Sequence, residues 1–83
     1  MDILEQIKSL SGNVKGIYKN FLESTDNIDV FAFEIAQQAN TNKMARAGAE
    51  RAVGKEIVEL ALKLYPNVKL GDTYNGTKQQ KEN

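Results

Sequence analysis

The sequence contains no cysteine, no histidine and no tryptophan, and its 83 residues include a single proline. Without cysteine the chain has no disulfide framework, no thiol nucleophile and no thiolate ligand for a metal. Without histidine it lacks a zinc site of the usual Cys/His kind, an imidazole base and a catalytic triad. We therefore expect a protein that is not an enzyme and that uses no cofactor and no metal ion.

An excess of charge of one sign and a long apolar run are also absent. Eleven basic and eleven acidic residues give a formal net charge of zero, which disfavours a protein that coats nucleic acid or an anionic membrane. No window approaches the roughly 18 consecutive apolar residues of a spanning helix. The acidic start over residues 1–5 is unlike a signal peptide. These features predict a small cytoplasmic protein with no membrane partner.

At 41% apolar residues, the chain can build one hydrophobic core. A domain of this size buries only about 60% of its extended-chain surface, so it is marginally stable on its own. A small chain without disulfides or metal commonly gains stability from packed helices or from oligomerisation. We expect one helical domain over residues 1–74, self-association, and a disordered polar tail over residues 75–83.

The first segment carries apolar residues with alternating gaps of four and three, as in a heptad repeat. These residues are Ile3, Ile7, Leu10, Val14, Ile17 and Phe21. The spacing predicts one helix over residues 2–23 that is capped by Asp2. Gly12 and Gly16 lie off the stripe and weaken a helix. Three interpretations of these glycines are open: a face that lets another backbone approach closely, a weak point that the helix tolerates, or a turn at residues 11–13 between two short helices.

The second segment predicts a helix over residues 26–40, following a polar break rich in N-cap residues. A strand over residues 30–33 fits as well, because apolar positions alternate there. A helix that is apolar nearly all round must be buried on most sides, and a chain this short offers little surface to cover it. Val30 and Phe33 fall outside the main stripe, so they lie either in a protein interface or beneath the C-terminal tail.

The third segment predicts a helix over residues 42–65 that ends before Pro66. Its second half carries a broad apolar stripe, whereas its first half carries mostly small residues. On a helical wheel, four of these form one face that lets another helix approach closely, within the chain or between copies. They are Ala45, Gly48, Ala49 and Ala52. Gly54 lies where the two halves meet and is expected to kink or interrupt the helix.

The predicted fold is therefore an all-α bundle of three principal helices, or of four if Gly12 or Gly54 interrupts one. The charges along this bundle are unevenly distributed. Residues 1–42 carry a net charge of −3 and residues 43–83 a net charge of +3. The two halves attract each other modestly across the fold, or they make copies of the chain complementary to one another, which fixes register more than it adds affinity.

The basic half also has an interpretation as a nucleic-acid interface. Residues 28–52 can be laid out as helix, three-residue turn and helix, like a helix-turn-helix reader of DNA. The side chains that suit phosphate and base edges are Thr41, Asn42, Lys43, Arg46, Arg51 and Lys55. The match is poor, because Thr41 stands where an apolar residue is usual and the acidic first half would repel phosphate.

The function expected from these features is non-enzymatic binding of another protein by an adaptor, an inhibitor or an accessory regulator. This protein is also expected to self-associate, as a homodimer or a larger homo-oligomer. Its interface residues are expected to be Val30, Phe33, Ala45, Gly48, Ala49 and Ala52. DNA binding through residues 28–52 is the alternative. The frequent Lys, Asn and Ile resemble the usage of proteins from AT-rich genomes, including phages and mobile elements of low-GC bacteria.

Overall fold

The computed structural model describes residues 2–25 and 27–74, and this part of the chain is helical without strands. Its elements are α1 (Ile3–Leu10), a 3₁₀ turn (Ser11–Asn13), α2 (Gly16–Thr25), α3 (Ile28–Ala39), α4 (Lys43–Val53) and α5 (Lys55–Leu64). The predicted all-α class is confirmed. The α-helices number five in this part of the chain rather than three or four, because two predicted helices are each interrupted. Asp26 and the predicted disordered tail at 75–83 lie outside the described residues.

The first interruption shows that the prediction of one continuous helix over residues 2–23 is wrong. The chain leaves α1 through the 3₁₀ turn, and Val14 then adopts an extended backbone with φ −68° and ψ 141°. Gly16 begins α2 at φ +65°, a conformation that glycine adopts without steric cost. The alternative of a turn at residues 11–13 is therefore confirmed, and the heptad stripe does not run through this segment.

The second interruption is at Gly54, which ends α4 and precedes α5. Its backbone lies at φ 97° and ψ 147°, a region open essentially to glycine alone. The expected weak point at this residue is thus a full break rather than a kink, and α5 turns back to pack against α4. The last helix ends at Leu64, two residues before Pro66, as expected from the effect of proline on the preceding residues.

Helix α3 lies at the centre of the fold, where it contacts each of the other four helices. Seven of its twelve residues are buried, which confirms the prediction that this helix is covered on most sides. The alternative of a strand over residues 30–33 is wrong. The largest fully buried side chains come from α1, α3, α5 and the segment after α5, and they are Ile7, Phe31, Ile35, Ile57, Val58, Tyr65 and Val68.

The helices are short relative to a bilayer. The longest of them, α3, has 12 residues and therefore spans about 18 Å at 1.5 Å per residue. Within residues 2–25 and 27–74, no helix is long and apolar enough to cross a membrane.

Candidate functional site

Two faces of α3 contact different parts of the chain. Within each face the residues are four positions apart, so their side chains lie on the same side of the helix. The first face contains Asp29, Phe33 and Gln37, and it meets the segment 65–74, which we name the C-terminal strap. The second face contains Glu34 and Gln38, and it meets α2.

Both ends of the C-terminal strap are held against α3 by the carboxylate of Asp29 and the ring of Phe33. Oδ1 of Asp29 accepts a hydrogen bond of 2.7 Å from the Tyr65 hydroxyl, and Oδ2 accepts one of 2.6 Å from the Tyr74 hydroxyl. The ring of Phe33 meets both tyrosine rings edge to face, with centroids 5.3 and 5.4 Å apart. Such pairs add favourable contacts beyond their buried area.

The middle of the C-terminal strap is held by two side-chain amides. Nε2 of Gln37 donates to the carbonyl oxygens of Lys69 at 3.1 Å and Asp72 at 3.0 Å. Nδ2 of Asn40 donates to the carbonyl oxygen of Val68 at 2.7 Å. Gln37 is 6% exposed, and these bonds satisfy a buried amide that would otherwise destabilise the fold. The strap therefore covers one face of α3.

This covering decides between the two interpretations of Phe33. Its side chain is only 5% exposed and packs beneath Tyr65 and Tyr74 rather than at the surface. The structure thus places Phe33 in the core of a single chain, in accord with the alternative that it lies beneath the C-terminal segment. Val30 is only half-buried, so it remains accessible.

The second face of α3 forms an open groove with α2. The groove has a cavity volume of about 240 Å³. The residues that line it are Ile17, Tyr18, Phe21, Glu34 and Gln38. Small-molecule pockets in proteins usually enclose about 300–1,000 Å³. A groove below that range suits one or two side chains of a docked polypeptide better than a free ligand.

The apolar wall of the groove is unusually accessible. Ile17 is 77% exposed, and Phe21, one helical turn later on the same side of α2, is half-buried. Val30 lies one turn before Glu34 on the same side of α3, but it does not line the groove. None of the six residues that the sequence predicted for a protein interface lines it.

The polar wall of the groove carries negative charge. Nε2 of Gln38 donates a long hydrogen bond of 3.4 Å to Oε1 of Glu34. Burial raises the pKa of the Tyr18 hydroxyl above its ordinary value, and the negative charge of Glu34 raises it further. Both causes favour the neutral phenol. The groove therefore offers an apolar surface beside a single carboxylate, which favours a ligand that is apolar and cationic.

The predicted small-residue face of α4 is divided between the core and the surface. Ala49 is buried at 1% exposure, while Ala45 and Ala52 are half-buried. The Ala52 carbonyl accepts a hydrogen bond of 3.0 Å from the Lys15 amide, so the last turn of α4 is bound to the segment that precedes α2. Gly48 differs, because a Cβ atom built there would meet nothing within 4 Å.

The predicted nucleic-acid residues lie in the turn before α4, on α4 itself and, in the case of Lys55, at the first position of α5. Two of them serve local structure: the Thr41 hydroxyl donates to the Gln37 carbonyl at 2.9 Å, and Oδ1 of Asn42 caps α4 by accepting from the Ala45 amide at 2.8 Å. Arg46 forms a salt bridge of 3.2 Å with Glu50. The cations of the set are all exposed, namely Lys43, Arg46, Arg51 and Lys55.

Sequence reasoning missed the groove because it placed Ile17 and Phe21 on the buried stripe of a continuous helix. The break before Gly16 turns α2 independently of α1, so the phase of the stripe is not carried across it. Gly16 itself is the signal in the sequence that permits such a break, since glycine adopts positive φ without steric cost.

Comparisons with known proteins do not assign the chain to a family. No family model, no curated protein and no solved structure matches this sequence or fold.

Proposed function

We propose that the chain is a small, non-enzymatic protein-binding module that acts as an adaptor, an inhibitor or an accessory regulator. Its binding site is the α2–α3 groove. The observation that carries the proposal is the exposure of Ile17, 77% of whose surface is accessible at the mouth of this groove. Exposed apolar surface rimmed by polar residues commonly marks an interaction site.

The chemistry of the groove defines the partner segment. An apolar side chain of the partner packs against Ile17 and Phe21, and a Lys or Arg beside it approaches Glu34. Charge complementarity of this kind contributes specificity and association rate more than affinity. We place the interaction in the cytoplasm, because a chain without cysteine forms no disulfide and so does not need an oxidising compartment to fold.

The proposal is tested by selecting binders from a displayed library of random peptides on the immobilised protein. We expect the selected peptides to share an apolar anchor next to Lys or Arg. Their affinity should fall at least tenfold with Ile17→Asp, which places a charge in the apolar wall, and several-fold with Glu34→Lys. The matched control is Leu70→Asp, which alters a side chain that is 61% exposed on the C-terminal strap and should leave affinity unchanged.

Two results would contradict the proposed function. One is that no peptide is enriched above an unrelated protein of similar size. The other is that the enriched peptides bind the Ile17→Asp variant as well as they bind the wild type, since the site would then lie elsewhere. Circular dichroism of each variant establishes that a loss of binding is not a loss of fold.

DNA binding remains a second candidate function because the described helices match the predicted layout. Helix α3, the turn at 40–42 and α4 follow one another as expected for residues 28–52, and the three cations of this region, Lys43, Arg46 and Arg51, are exposed. The local hydrogen bonds of Thr41 and Asn42 leave fewer groups for bases. DNA binding is therefore the second candidate.

A further inference from the structure

Three large apolar side chains are exposed among the described residues, and they lie on different elements: Ile17 on α2, Met44 on α4 and Leu70 on the C-terminal strap. Ile17 belongs to the groove. Met44 is the most exposed, at 82%, and projects from the first turn of α4. A methionine side chain is unbranched and polarizable, so it adapts readily to irregular apolar surfaces.

The charges around Met44 are opposite to the charge of the groove. Lys43 precedes it, and Arg51 lies two turns further along the same side of α4; both are exposed. The groove carries the carboxylate of Glu34. Each copy of the chain therefore presents both an apolar knob flanked by cations and an apolar groove bearing an anion.

We propose that the first turn of α4 in one copy docks into the α2–α3 groove of a second copy, with Met44 packed against Ile17 and Phe21 and with Lys43 paired to Glu34. This inference rests on the proposed function of the groove and names its occupant as another copy of the chain. Gly48, one turn after Met44, has open space over its Cα, so the second copy can approach the α4 backbone there.

The inference is tested by sedimentation equilibrium of the purified chain from about 1 µM to 1 mM, the range of weak specific association. We expect the average mass of the wild type to rise above the monomer mass within this range. Met44→Asp removes the knob and Ile17→Asp blocks the groove, so each variant alone should remain monomeric. A mixture of the two variants contains one intact knob and one intact groove, and it should again form a complex.

A charge exchange gives a second measurement. Glu34→Lys and Lys43→Glu should each weaken self-association several-fold on their own, because each places like charges in contact. Mixing these two variants places a lysine opposite a glutamate again and should restore the complex. Leu70→Asp is the matched control, and its self-association should equal that of the wild type.

Three results would overturn the inference. The first is a wild-type mass that stays monomeric throughout the range. The second is unchanged association of Met44→Asp or Ile17→Asp, and the third is a mixture of those two that does not associate. Peptide selection on the Met44→Asp variant separates these failures from a failure of the proposed function. That variant retains the groove, so it should bind selected peptides whether or not the wild type self-associates.

Discussion

The Tyr74 hydroxyl donates a hydrogen bond of 2.6 Å to Oδ2 of Asp29, a residue 45 positions earlier in the chain. The same carboxylate accepts from the Tyr65 hydroxyl through its other oxygen. Asp29, in the first turn of α3, therefore holds both ends of the C-terminal strap, while Gln37, two turns further along α3, holds its middle.

Replacing Tyr74 with phenylalanine tests the contribution of that hydrogen bond. A hydrogen bond to a charged group stabilises a protein by about 1.5–3 kcal/mol, and partial exposure of Tyr74 places the expected loss near the lower end. We expect Tyr74→Phe to lower the free energy of unfolding by about 1.5 kcal/mol, measured by urea denaturation. Adding Asp29→Asn to this variant should cost less than Asp29→Asn alone does in the wild type. Additive losses would show that the two groups are not coupled.

The same tyrosine predicts a dependence of stability on alkaline pH. Burial, together with the hydrogen bond to Asp29 and its negative charge, raises the pKa of Tyr74 from 10.0 to about 12. The folded state therefore holds this proton more tightly than the unfolded state, and its contribution to stability is fully present below pH 10. It is lost as the pH rises from 10 toward 12, because the unfolded chain releases the proton first.

The measurement is the free energy of unfolding of the wild type and of Tyr74→Phe at intervals across that pH window. The wild type should lose more stability than the variant, so the difference between them should shrink as the pH rises. A constant difference from neutral pH to pH 12 would contradict the raised pKa of Tyr74.

Two glycines on α4 and at its end are expected to respond in opposite directions to alanine. Gly48 is within the helix and has open space where a Cβ would lie, so Gly48→Ala should stabilise the fold by about 0.5–1 kcal/mol. Gly54 adopts φ +97°, which an alanine reaches only with strain, so Gly54→Ala should destabilise the fold by about 1–3 kcal/mol.

Thermal unfolding at low protein concentration, in the Met44→Asp background, measures both glycine substitutions without a contribution from self-association. A stabilising effect of Gly54→Ala would show that residues 53–55 are helical and that one continuous helix spans residues 42–65. A destabilising effect of Gly48→Ala would show that this glycine is needed within the single chain.

The sequence predicts the helical segments of this fold well, because the features that begin and end them are local. Asn27 and Asn42 cap α3 and α4, and Pro66 ends the last segment. The breaks at residues 11–13 and at Gly54 are also marked by local chemistry. Whether a glycine bends or interrupts a helix depends, however, on what the two halves gain by packing separately, and periodicity carries no information about that gain.

The candidate site was harder to predict, as Val30 and Phe33 illustrate. Both fall outside the apolar stripe of α3, so periodicity alone treats them alike, as apolar side chains that the helix does not turn toward the core. The strap covers Phe33 because Asp29 and Gln37, four residues to either side, supply the polar groups that bind it. That spacing is visible in the sequence, but the partners of these two polar residues lie some 32 to 45 positions away, and no local pattern identifies them.

The final prediction separates protein binding from DNA binding. We expect no retardation of duplex DNA by the wild type in a gel at about 100 mM salt. The chain has a net charge of zero, and the four exposed cations of the α4 region include Arg46, which is already paired with Glu50. Phosphate contacts supply essentially all non-specific affinity for DNA, and so few cations should not hold the duplex at that salt concentration.

The decisive variant for this prediction replaces Lys43 and Arg46 with alanine. Three results together would make DNA binding through α4 the first candidate in place of protein binding at the groove. The wild type would retard DNA, the retardation would fade between about 50 and 200 mM salt, and the double variant would abolish it for every DNA sequence tested. Lys63→Ala with Lys69→Ala is the matched control, because it removes the same charge from exposed residues of α5 and of the C-terminal strap that lie outside the candidate DNA interface. Retardation that both double variants weaken equally would reflect overall charge rather than recognition by α4, because residues at a DNA interface contribute according to their position on it.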